Sequence, residues 1–121
     1  MAIVSALSAV VGLLLIGGLS WSMAKAGRAG AVPFNRNTGI RTRATTRSRA
    51  AWDAGHRAAV KPLAFVAALA VPWSIAILAA AIVAPGSLVL NGGLFAAAYV
   101  TCLGALGYAA RVANRAAAAA A

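Results

Sequence analysis

The chain has one acidic residue, Asp53, one histidine, His56, and one cysteine, Cys102, among 121 residues. Each scarcity excludes a class of chemistry. A lone cysteine forms no internal disulfide, and one Cys, one His and one acid are too few for the three or four protein ligands spread around a zinc ion. No metal or cofactor is expected. Paired-carboxylate catalysis lacks its second carboxylate and no nucleophile has a base beside it, so the sequence predicts a protein that is not an enzyme. Asp53 and His56 are the one conceivable acid–base pair. Arg49 and Arg57 stand one helical turn to either side of Asp53, however, and would hold it ionised and occupied.

Charge is also missing over long stretches: Ala2 to Ala24 carries none, and neither does Pro62 to Ala110. A helix crossing a hydrocarbon core of about 30 Å needs about 20 apolar residues. The first run supplies one crossing and the second is long enough for two, with Pro85-Gly86-Ser87 and Asn91-Gly92-Gly93 near its middle. The expectation is an all-α membrane protein, one membrane domain over 1–121. Its three transmembrane helices fall near 2–24, 63–84 and 92–112, Asn91 caps the third, and an Ala-rich tail at 113–121 prolongs that helix or frays. The first run lacks a basic leader and exceeds a signal-peptide core in length, so it reads as an uncleaved span.

Positive charge is abundant, with a net charge of +10. Nine of the eleven cations lie between Lys25 and Lys61, and the others are Arg111 and Arg115. Cationic loops stay on the cytoplasmic side, which predicts an outside N-terminus, a cytoplasmic basic loop and a cytoplasmic C-terminus. Clustered cations in a soluble protein would suggest nucleic acid. Beside spanning helices, and without a recognised nucleic-acid-binding fold, they predict anionic lipid instead, at about 1 kcal/mol per cation near the surface.

Within the loop, Gly27, Gly30 and Pro33 discourage continuation of the first helix. The stretch Phe34 to Arg43 then offers Asn and Gly for tight turns, with Arg flanking a single apolar Ile40 that dips towards the membrane interface. From Thr46 the pattern is helical. Trp52, His56, Ala59, Val60 and Leu63 form one apolar face, and Arg49, Asp53, Arg57 and Lys61 recur every four residues opposite it. This predicts an amphipathic helix at the cytoplasmic interface, leading into the second span, with Trp52 at headgroup level.

The motif Asn35-Arg36-x-x-Gly39-Ile40-Arg41-Thr42, followed ten residues later by Trp52-x-x-x-His56-Arg57, resembles the SdpI family of small bacterial membrane proteins, named for an immunity protein against a secreted toxin. Order, spacing and placement between a first and a second span agree with that family. Two positions depart: Arg43 stands where the family usually has Pro, and Arg49-Ala50 where an acid usually precedes the Trp. The resemblance implies a multi-pass protein of the bacterial plasma membrane acting in immunity or signalling. The candidate partner- or lipid-binding motif is Asn35, Arg36, Gly39, Ile40, Arg41, Thr42, Trp52, His56 and Arg57.

His56 is expected to pack and hydrogen-bond rather than to act as a pH switch. Arg36 and Arg41 offer guanidinium forks suited to a phosphate or a partner carboxylate. Trp73 follows Pro72 near the bilayer centre, where a helix kink and an internal contact for the indole are expected. Gly12, Gly18 and Gly104 mark small faces on which helices can approach closely. Three thin helices leave some of that surface for a larger membrane protein or complex, so a second reading is a small accessory subunit of a large bacterial assembly. No small-molecule substrate is inferred.

Overall fold

The computed structural model describes residues 3–32 and 39–120. Four helices follow in order: α1 (Ile3–Arg28), α2 (Arg49–Ala58), α3 (Val60–Val83) and α4 (Leu88–Ala119), with no strand among the described residues. α1, α3 and α4 are each long and apolar enough to cross a membrane. α1 packs most extensively on α3 and α3 packs on α4, while α1 barely touches α4 and the short α2 lies chiefly against α4.

The inner face of α1 is Ala6, Ala9, Val10, Leu13, Gly17, Ser20, Ala24 and Gly27, at alternating steps of three and four after one adjacent pair. Small residues let the backbones approach: a Cβ at Gly17 would lie 2.7 Å from the Ala70 Cβ of α3. Two clusters of buried residues result. One joins Leu13, Ile77, Ala98 and Cys102, with Trp73 half-buried against it. The other joins Ala24, Ala59, Leu63, Ala109 and Ala113 at the loop end of the bundle, with Ile40 packed on it. Ile40 therefore contacts the chain's own core.

Several boundaries differ from the sequence expectation. α1 continues a turn past Ala24, taking in Lys25 and Gly27, because Gly27 is needed for close packing: its Cβ would stand 2.7 Å from the His56 carbonyl oxygen. Past the helix end at Arg28 the chain turns away at Gly30, whose φ of +67° is a left-handed conformation. The Ala31 N–H bonds Ala26 O at 2.8 Å and the Gly30 N–H bonds Gly27 O at 3.2 Å, the paired closure typical of a glycine-ended helix.

α4 starts earlier than residue 92. Ser87, not Asn91, is its cap, with Oγ accepting from the Leu90 N–H at 3.2 Å. Asn91 sits buried in the first turn, and its Nδ2 donates to Ala84 O (2.7 Å) and Ser87 O (2.8 Å). Its amide thus closes the end of α3, which is why the connection is shorter than the glycines suggest. At its other end α4 runs to Ala119, with Ala113 and Ala117 fully buried. α3 runs unbroken through Pro72.

Candidate functional site

The loop between α1 and α3 folds onto the end of α4. Its centre is Trp52 and His56 on α2, which starts after Ser48, whose side chain accepts from the Ala51 N–H at 3.0 Å. Four residues apart on a helix, the two rings share a face, with centroids 4.2 Å apart. Trp52 is 0% and His56 1% exposed. The apolar face predicted for this helix therefore meets protein.

Each buried polar atom of the pair has a partner. Trp52 Nε1–H donates to Val32 O at 3.0 Å, tying α2 to the chain just beyond α1. His56 Nε2 accepts the Ile40 N–H at 2.8 Å. A backbone N–H can only donate, so Nε2 carries no proton in this arrangement, and Nδ1–H donates to Trp52 O at 2.8 Å. The imidazole is a neutral bridge between helix and loop.

Gly39 makes that bridge fit. Its φ is +89°, and a Cβ there would lie 2.6 Å from His56 Nε2 and 2.8 Å from the Trp52 ring. Both the left-handed backbone and the contact distance require glycine. Beyond it, Arg41 carries its guanidinium 5.8 Å from a Trp52 ring centroid, within cation–π range.

Thr45, also 0% exposed, organises the turn between the two halves of the motif. Its Oγ1 donates to Ile40 O at 2.8 Å and accepts the Thr42 N–H at 2.9 Å. Thr42 Oγ1 in turn bonds Asn114 Oδ1 at 2.6 Å, and Arg47 Nη2 donates to Ala117 O at 3.1 Å and Ala118 O at 3.3 Å. Both contacts fasten the loop to α4. Close approach of α2 to α4 is allowed by Gly55, where a Cβ would lie 3.0 Å from Ala113 O.

Of the predicted motif, Gly39, Ile40, Thr42, Trp52 and His56 are brought together as a framework, while Arg41 and Arg57 are exposed at its edge. Asn35 and Arg36 lie outside the described residues. Asp53 pairs with Arg49 at 3.5 Å, but the second expected pair, with Arg57, is not formed among the described residues. Arg57 reaches instead towards the end of α1, its Nη2 4.0 Å from where a Gly30 Cβ would stand. Thr45, Arg47 and Asn114 were not foreseen from sequence; the signal was the hydroxyl-rich run Thr42 to Ser48 ahead of the helix.

Of the expected packing residues, Gly12 lies against the hydroxyl end of Tyr99, which donates to Ala9 O at 2.7 Å. Among the described residues, a Cβ at Gly18 or Gly104 would meet nothing within 4 Å. Those two glycines do not join the chain's own helices, because both lie on the outward faces of α1 and α4.

Three long apolar helices with a folded basic insert between the first and second define a small all-helical, multi-pass membrane protein. The model of the SdpI/YfhL protein family matches residues 31–109, which spans the insert, α2, α3 and most of α4, and the chain belongs to that family. No curated protein and no solved structure matches it.

Proposed function

We propose that the chain is a non-catalytic SdpI-like membrane protein whose folded basic loop recognises an anionic surface, either lipid headgroups or an acidic protein face, in toxin immunity or signalling. The observation that carries this reading is the contrast inside the loop: buried Thr45, Trp52 and His56 fix its backbone while Arg41, Arg43, Arg49 and Arg57 stand exposed around it. Cations that only set topology need no fold. Guanidiniums held on a fixed backbone suit bidentate recognition of carboxylate or phosphate. The positive-inside rule puts this surface in the bacterial cytoplasm, with the N-terminus outside.

A second reading, a small accessory subunit of a larger membrane complex, draws support from α4, the least covered of the three long helices, with Val100, Leu103 and Tyr108 exposed along it. Affinity capture of the tagged full chain from native membranes in gentle detergent separates the two. Recovery alone or with lipid is expected for the autonomous role, and stoichiometric recovery of a large complex establishes the accessory role. Arg41→Lys then tests the loop. It weakens partner or lipid recognition if the fork geometry matters and is silent if the site reads charge alone.

A further inference from the structure

Between α3 and α4, with no residue of α1 in its lining, lies a lateral groove of about 720 Å³. That lies within the range of about 300 to 1,000 Å³ occupied by small-molecule sites. Its walls are almost wholly apolar and include Pro62, Phe65 and Leu69 from α3 and Tyr108 and Val112 from α4. Lys61 lines the end nearest the basic loop. Phe65 and Tyr108 remain 58% and 62% exposed along the groove. It is an open apolar slot with one cation at its mouth.

We propose that this groove is a binding site for an anionic phospholipid, one acyl chain lying between α3 and α4 and the phosphate paired with Lys61. Three observations select that occupant. From Lys61 to Leu69 the groove runs eight residues, about 12 Å along a helix, which lies within the hydrocarbon of one leaflet of a core about 30 Å thick. It begins where α3 leaves the basic loop, so its charged end falls at headgroup level and its apolar end at chain level. Lys61 is exposed at the mouth of the groove and forms no ion pair among the described residues, so its ammonium is available to an external anion. The chain's one acidic side chain, Asp53, is paired with Arg49. An apolar segment of another protein would fill the walls but leave the ammonium unmatched.

The proposal rests on reading α3 and α4 as membrane spans and is independent of what the loop arginines recognise. The full chain is reconstituted in phosphatidylcholine nanodiscs containing a minor fraction of phosphatidylglycerol, transferred to mild detergent, and its retained lipid counted by native mass spectrometry. Wild type is expected to keep one phosphatidylglycerol per chain in preference to phosphatidylcholine. Lys61→Gln removes the charge and should lower that preference about five-fold, the effect of one cation near the surface. Ala105→Phe, which fills the groove wall while leaving Lys61 in place, should expel the lipid of either kind. Arg43→Gln separates this site from the loop surface: retention should be unchanged if the lipid sits in the groove, and a loss in this variant equal to that of Lys61→Gln would place the lipid on the loop and overturn the proposal. Resistance of each variant to alkaline carbonate extraction shows that it is still inserted. No preference in wild type, retention unaltered in Lys61→Gln, or a dimer with the groove buried against a second copy would each overturn the proposal.

Discussion

The spanning bundle and the loop clasp are held together by opposite means. Between the helices, small residues at Gly12, Gly17, Ala70, Ala98 and Cys102 allow close approach around the purely apolar Leu13, Leu63 and Ile77, and directional bonds are few: the Tyr99 hydroxyl on Ala9 O ties α4 to α1. In lipid there is little hydrophobic gain from helix association, so close packing has to do most of the holding. In the loop the buried groups are large and polar-tipped, and Trp52, His56 and Thr45 each make directional bonds to backbone. The bundle tolerates many apolar sequences of the right size. The clasp specifies particular atoms at particular places, as a recognition surface requires.

If that contrast is correct, the largest effect of a single substitution falls in the loop. Gly39→Val combines a strained left-handed backbone with a collision against both rings of the clasp and should cost about 3 kcal/mol or more. Dodecyl sulfate titration of the full chain in mixed micelles, followed by tryptophan fluorescence, should show an early loop transition ahead of bundle unfolding. A single unshifted transition would mean that the clasp is not an independent unit. His56→Ala comes next, at about 2 to 3 kcal/mol, since it leaves the Ile40 N–H without its acceptor and opens a void beside Trp52. His56→Gln, with an amide oxygen able to accept that N–H, should recover part of the loss.

In the bundle the comparison is between two adjacent glycines. Gly17→Leu drives a side chain into Ala70 and should cost about 2 kcal/mol, with α1 and α3 forced apart. Gly18→Leu faces away from the chain's own helices and should be neutral or slightly stabilising, because glycine is a poor helix former. Equal losses at both positions would show that a partner covers the Gly18 face. Such a result would favour the accessory-subunit reading.

The two regions were unequally legible. Three spans could be counted because hydropathy accumulates along the chain, and the period of Trp52, His56, Ala59 and Leu63 revealed a buried face, all four at most 1% exposed. What that face meets was hidden. Of its partners, Ala109 lies near the end of the expected third span and Ala113 opens an alanine-rich tail that has no apolar contrast of its own and reads as an extension without consequence. The cap of α4 was misplaced for a related reason: Ser87 and Asn91 are both good capping residues, and the choice depends on where α3 ends and which carbonyl Asn91 then reaches. Thr45 and Arg47 act through contacts whose geometry depends on the folded turn, so the hydroxyl-rich run Thr42 to Ser48 marked a turn without showing which atoms it would join.

The smallest loss is expected where the two regions join, and it is the most informative about how they communicate. α4 ends at Ala119, and the last carbonyls of any helix lack intrahelical donors. Arg47, seventy residues earlier, supplies a donor to Ala118 O and a second one to Ala117 O, which also accepts the Ala120 N–H at 3.2 Å. A cation at a helix C-terminus also faces the negative end of the helix dipole, an interaction typically worth about 0.3 to 1 kcal/mol at an exposed site. Arg47→Ala should therefore lower overall stability by no more than about 1 kcal/mol. Hydrogen exchange at the amides of 116–119 should rise only slightly, because their donor groups point back into the helix. Exchange in the Thr42 to Thr46 turn should rise more, since Arg47 and the Thr42–Asn114 bond together fasten that turn to α4. Combined with Asn114→Ala, the loss should fall short of the sum of the single effects if the two fastenings act as one latch, since releasing either already frees the turn. Strict additivity would mean that each holds the loop independently, and that the clasp needs α4 only as a surface to lie on.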